Sequence, residues 1–139
     1  MKTITPYLMF DGQSEEAFEF YRSVFGGGVL NLIRIKDMAD AANAPEAAQD
    51  LVAHVSLPVD GRTILMASDN TMDAPTTMGN GHYLHIEAES EQEVDTLFSA
   101  LSAGGTPEME PQQTEWSRRF GMCTDKFGVR WMVDCGGET

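Results

Sequence analysis

The run Tyr83-Leu-His-Ile-Glu87 alternates polar and apolar residues. In a strand, successive side chains point to opposite faces, so Tyr83, His85 and Glu87 share one face and Leu84, Ile86 and Ala88 the other. An imidazole can exchange a proton near neutral pH, and a carboxylate can orient or activate it, so His85 with Glu87 is a candidate catalytic pair. The plainer reading is a hydrogen-bonded histidine in a wet cleft or interface, although a polar face on a central strand needs a reason. His54, in Val52-Ala-His-Val-Ser56, shares a face with Val52 and Ser56 by the same alternation and is a candidate ligand contact; a lone strand histidine is more often structural. His82 follows Gly79-Asn-Gly81 and is expected to be exposed. Trp116, Arg118 and Phe120 alternate onto one face, where an arginine among aromatics could clamp a carboxylate or phosphate or simply stack at the surface. Tyr7 and Met9 share a face of the first strand. Arg130, Met132 and Asp134 share a face of the last, and Arg130 and Asp134 are expected to pair along it. The nine methionines suit an adaptable apolar pocket or ordinary core filling equally.

Several signatures are absent. There is no phosphate-binding Gly-x-x-x-x-Gly-Lys-Ser/Thr loop, no His-Glu-x-x-His, no Gly-x-Ser-x-Gly and no dinucleotide fingerprint after the first strand. Net charge is −13, with nine Lys and Arg. Nucleic-acid affinity comes largely from neutralising phosphates, and anionic membranes attract basic surfaces, so neither partner is expected. No apolar run approaches the roughly 18 residues that span a bilayer. Met1 to Phe10 lacks a signal-peptide pattern and reads as a strand, which gives a cytoplasmic expectation. Cys123 and Cys135 lie on neighbouring expected strands and read as free, partly buried thiols.

The elements that must carry these residues follow from pattern. Thr3–Phe10 reads as a strand with Pro6 at its edge or end. Asp11 to Ser14 is a turn and helix cap, and Glu15 to Phe25 is a helix whose apolar face is Ala17, Phe20, Tyr21 and Val24, ended by glycines. Val29–Lys36 is a strand. Residues 37–49 form a loop with room for a helical turn. Leu51–Val59 and Arg62–Ala67 are strands joined at Asp60-Gly61. Residues 70–80 are a polar linker. His82–Glu89 is a strand, Ser90 to Glu93 a capping box, and Glu91–Ala103 a helix with Val94, Leu97, Phe98 and Leu101 on its apolar face. Thr106 to Gln112 is extended, and Trp116 to Cys135 is a hairpin turned at Asp125-Lys-Phe-Gly128.

The two halves repeat. Gly26-Gly27 and Gly104-Gly105 stand 78 residues apart, as do Phe10-Asp11 and Ala88-Glu89. Each half reads β-α-β-β-β. The expected class is therefore α+β, one domain over 1–139, with module one at about 1–69 and module two at about 81–139. Each module is a small sheet with a helix on one face, and two bare faces could enclose a small-ligand cleft.

Three segments resemble the PhnB-like branch of the vicinal oxygen chelate (glyoxalase/bleomycin resistance/dioxygenase) superfamily. They are Thr5-Pro-Tyr-Leu-Met-Phe-Asp-Gly12 with Glu16-Ala-Phe and Tyr21, then Leu65-Met-Ala-Ser-Asp69, and Trp116 through Trp131. The resemblance implies paired βαβββ modules and commonly a homodimer. In that superfamily, His or Glu from the first and last strand of each module holds a divalent metal. The matching positions here are Thr5, Leu65, Tyr83 and Met132; a shift of one gives Pro6, Met66, Leu84 and Val133. Neither set suits a divalent metal, so no cofactor is expected. The branch often carries a name that links it to demethylubiquinone methyltransferases. Methyl transfer usually needs a cofactor cleft in a larger α/β sheet, and no room or motif for one is present. The expected function is binding of an unidentified small molecule by Tyr7, Met9, His54, Tyr83, His85, Trp116, Arg118 and Phe120. The alternatives are a lyase, isomerase or dioxygenase-type enzyme centred on His85 or a displaced metal, and a drug- or toxin-sequestering protein.

Overall fold

Proline lacks the N–H a ladder needs, and the first strand, β1, duly starts after Pro6, at Tyr7–Phe10 rather than at Thr3. The computed structural model describes residues 1–136, so the last three residues assigned to module two lie outside the described residues. The chain divides into two compact units, Met1–Thr77 and Met78–Thr139.

In the first unit β1 is followed by helix α1 (Ser14–Phe25), strand β2 (Asn31–Arg34), three short 3-10 turns across the expected loop, and strands β3 (Val52–Pro58) and β4 (Ile64–Asp69). The sheet order is β1-β4-β3-β2, with β1 parallel to β4 and the other pairs antiparallel. Leu8, Phe10, Val55, Leu57, Leu65 and Ala67 are buried on the face that meets α1. The buried stripe of α1 is Ser14, Ala17, Phe18 and Tyr21, so Phe18 takes the place expected for Phe20 and Val24, which are half-buried. The expected cap also differs. Gln13 makes no side-chain cap, and Asp69 at the end of β4 accepts the Ser14 N–H at 3.0 Å instead. Its other oxygen accepts the Val52 N–H at 2.8 Å, tying the starts of α1 and β3 together.

The second unit repeats the order with strand β5 (Leu84–Ala88), helix α2 (Glu91–Ser102) and strands β6 (Thr106–Gln112), β7 (Ser117–Thr124) and β8 (Arg130–Gly136), in sheet order β5-β8-β7-β6. Ser90 Oγ accepts the Glu93 N–H at 3.1 Å, while Glu93 reaches back to the Glu89 N–H at 3.0 Å, so the capping box forms one residue wider than drawn. Val94, Phe98 and Leu101 bury the face of α2 against β7 and β8. The β7–β8 turn is held by Asp125, whose carboxylate accepts the N–H groups of Phe127 (2.8 Å) and Val129 (3.0 Å) and the Trp131 indole (2.8 Å). Gly128 supplies the positive φ of 88° that the turn requires. Among the described residues no helix is long and apolar enough to cross a membrane.

Candidate functional site

Within each unit the sheet has one face away from its helix, and His54 in the first unit and Tyr83, His85, Arg130 and Asp134 in the second lie on it. On the second unit, β5 runs parallel to β8 with His85 opposite Met132 and Glu87 opposite Asp134. The diagonal neighbour reaches the imidazole, and His85 Nε2 lies 2.9 Å from Asp134 Oδ2. This corrects two expectations. His85 is oriented by Asp134 rather than by Glu87, because residues two apart on one strand stand side by side, while a cross-strand carboxylate can turn toward the ring. Asp134, in turn, does not pair with Arg130. A carboxylate only accepts, so Nε2 carries the proton and Nδ1 is left for another partner. The His85 side chain is 50% exposed and that of Asp134 15%, which makes the imidazole reachable and its anchor largely covered.

Arg130 joins a neighbouring network. Its guanidinium donates to both oxygens of Glu108 on β6 (3.1 and 2.9 Å), to the Asn80 carbonyl and to the Tyr83 hydroxyl, and it lies 4.1 Å from the centre of the Tyr83 ring. Tyr83 donates to Glu108 at 2.6 Å, and so does Thr124. The Arg130 contact, with help from Thr124 and Tyr83, holds the Glu108 carboxyl down at about 2. The Glu108 bond pushes the Tyr83 phenol up. Tyr83 and Arg130 thus have their polar groups engaged.

Trp116 and Phe120 meet edge to face, with ring centres 5.7 Å apart. The alternation expected through Arg118 does not hold. A bulge between Ser117 and Arg119 takes Arg118 out of register, and its guanidinium donates to the Gly136 carbonyl (3.0 Å) and to Cys135 Sγ (2.8 Å). Arg119 pairs with Asp95 on α2 at 2.6 Å. Cys123 and Cys135 are both free and buried, and burial pushes the Cys123 thiol up to about 12.

On the first unit a second bulge, at Ala53, pairs Ile33 with His54 but Arg34 with Val52. Val52 is therefore buried on the helix side and does not share a face with His54 as plain alternation expected. Tyr7 hydroxyl lies 3.0 Å from His54 Nδ1 and hydrogen-bonds Ser68, which donates to the Ala53 carbonyl at 2.8 Å. Met9 stands partly exposed beside them on β1.

The positions matching the superfamily's metal stations do not fit a divalent ion. Leu65 is buried and aliphatic, Tyr83 is bound to Glu108, and Thr5 and Met132 offer a hydroxyl and a thioether. Among the described residues no group of three or more His, Cys, Asp or Glu is set to hold a metal. Pattern reasoning missed Ser68 and Glu108 and misassigned the partner of Asp134, since all three act across strands and need the register.

Comparison with known proteins agrees with this architecture. The sequence model of the family described as 3-demethylubiquinone-9 3-methyltransferase matches residues 2–134. Protein YjdN of Escherichia coli strain K12 is 31% identical, over 94% of this chain and 93% of its own. The structure of protein PA1353 from Pseudomonas aeruginosa is 36% identical with a TM-score of 0.86, covering 99% of this chain and 100% of that one. The PhnB protein from Bacillus cereus is 29% identical with a TM-score of 0.80, over 97% and 100% of the two chains. At the level of fold alone, a glyoxalase/bleomycin resistance protein/dioxygenase family enzyme from Burkholderia phytofirmans matches at 17% identity and a TM-score of 0.63, over 96% and 97% of the two chains. The chain belongs to the 3-demethylubiquinone-9 3-methyltransferase family, the PhnB-like branch of the glyoxalase/bleomycin resistance/dioxygenase fold.

Proposed function

We propose that this chain binds a small organic molecule on the helix-free faces of its sheets, through its own side chains rather than a four-ligand metal. The carrying observation is the His85–Asp134 pair, a half-exposed imidazole held by a largely covered carboxylate on a face with no helix over it. The pair fixes the ring, and its unused Nδ1 is a solvent-reachable acceptor for a ligand proton. The methyltransferase in the family description is not adopted, because each unit is a four-stranded sheet with one helix rather than a larger α/β sheet with a cofactor crevice. The homodimer implied by the family remains part of the proposal; light scattering at micromolar concentration should give twice the chain mass, and a monomer mass would refute it.

A thermal-shift screen of small aromatic and polar compounds tests the reading. Compounds that raise the melting temperature of the wild type should lose that effect in His85→Gln, whose own melting temperature stays close to wild type. Equal shifts in both proteins would remove His85 from the site. The same pair favours a second reading as a lyase or isomerase. There His85 Nδ1 takes a proton from the substrate and Asp134 stabilises the resulting imidazolium; the proton then returns to another substrate atom in an isomerisation, or goes to the departing group as its bond breaks in an elimination. Turnover abolished in His85→Gln would support it.

A further inference from the structure

The bulge in β3 and the hydroxyls beside it fix how His54 presents itself. A bulge takes its extra residue out of the ladder, and the Ala53 carbonyl is met by the Ser68 hydroxyl at 2.8 Å. A carbonyl can only accept, so Ser68 gives its proton there. Its oxygen then accepts from Tyr7, whose proton is thereby committed. The Tyr7 oxygen in turn accepts from His54 Nδ1, 3.0 Å away. Read in this direction, every proton in the row is assigned, and His54 is the tautomer with hydrogen on Nδ1 and a lone pair on Nε2.

The strand residues around His54 on this face of the first unit are Tyr7, Met9, Asn31, Ile33, Ser56, Met66 and Ser68, none of them charged. Tyr7, Met9, Ile33 and Ile64 on the same sheet face are exposed. Arg34, the one Lys or Arg on the described strands of this sheet, pairs with Glu15 at 2.7 Å, and Lys36, in the 3-10 turn after β2, pairs with Asp50 at 2.9 Å. An acceptor on a face whose strand residues carry no charge repels an anion's lone pairs and welcomes a neutral donor.

We propose that the Ala53–Ser68–Tyr7–His54 row makes the helix-free face of the first unit a site for neutral ligands that carry one O–H or N–H donor on a flat apolar body, such as phenols and N–H heteroaromatics, in preference to carboxylates. This deepens the small-molecule reading by naming the ligand class, and it rests on that reading only in taking this face as ligand-facing.

Long-range proton–nitrogen NMR of uniformly ¹⁵N-labelled protein tests it, at mildly alkaline pH where an imidazole is ordinarily neutral. The three ring signals are assigned with His54→Gln, His82→Gln and His85→Gln. His54 should show the Nδ1–H tautomer, and Tyr7→Phe and Ser68→Ala should each move it toward a mixture. Phenol and benzoate are then titrated, the same ring bearing a donor or a carboxylate. Phenol should shift His54 Nε2 and bind about tenfold more weakly to Tyr7→Phe, and benzoate should leave the signal in place. An Nε2–H tautomer in the wild type overturns the proposal. So does an equal response to both probes, or no response to phenol. The tautomer readout stands even if His85→Gln has no effect in the screen above, so the two readings can fail separately.

Discussion

Asp134 does for His85 what Tyr7 does for His54: it takes the proton of one ring nitrogen and leaves the other for a ligand. His85 was legible from the alternation of Tyr83 to Glu87, but its partner was not, because the choice between Glu87 and Asp134 depends on the parallel register of β5 and β8. Glu108 was invisible for the same reason; it lies in a segment that reads only as extended, and its partners stand 16 to 25 residues further along or back. That residue carries the clearest pH prediction. Its folded pKa of about 2 lies below the ordinary 4.5, so its contribution to stability is complete above about 4.5 and is lost as pH falls toward 2. Partial solvent access holds the contribution to about 1 kcal/mol. Urea unfolding of the wild type and Glu108→Gln should therefore differ by about that much at neutral pH and converge near the lower value, and a gap that persists in acid would contradict the assignment. The Cys123 thiol, pushed up to about 12 by burial, should resist alkylation in the folded protein and react only after unfolding.

At the scale of elements, the residues that identify the family are largely those that join one element to another. Asp69 ties α1 to β3, and Asp125 closes the last turn onto Trp131. Both lie in segments that carry the resemblance, which explains why that resemblance reveals fold more readily than chemistry. Asp125→Ala orphans two backbone N–H groups and an indole N–H in a buried turn and should cost about 2–4 kcal/mol, measured by urea unfolding, with altered Trp131 fluorescence in the folded state. A loss under 1 kcal/mol, on the order of a surface change, would contradict that role. A glycine serves the same junction: a Cβ on Gly105 would sit 2.2 Å from the Thr124 carbonyl, so Gly105→Ala should destabilise the β6–β7 pairing. Element types and order were readable throughout, since periodicity and glycine punctuation report them locally. The bulges at Ala53 and Arg118 were not. They depend on paired strands and leave no mark in either strand alone, and they are what moved Val52 and Arg118 away from their expected faces.

For the molecule as a whole, the 78-residue echo announced two units with one topology, and both sheets show it, as β1-β4-β3-β2 and β5-β8-β7-β6. Each unit places its core between sheet and helix, with His54 in the first and His85 in the second on the opposite face. The proposed ligand class could not be read from the repeat, because a repeat duplicates the scaffold while Tyr7, Ser68 and Asp134 are individual to their units. The claim that joins the scales is that this chain keeps the family's fold but meets its small molecule with side chains, not with a metal held at Thr5, Leu65, Tyr83 and Met132. Elemental analysis of protein purified without chelator tests it most directly. The account predicts zinc, nickel, manganese and iron all well below one equivalent per chain. A full equivalent of any of them, lost in His85→Ala, would contradict it.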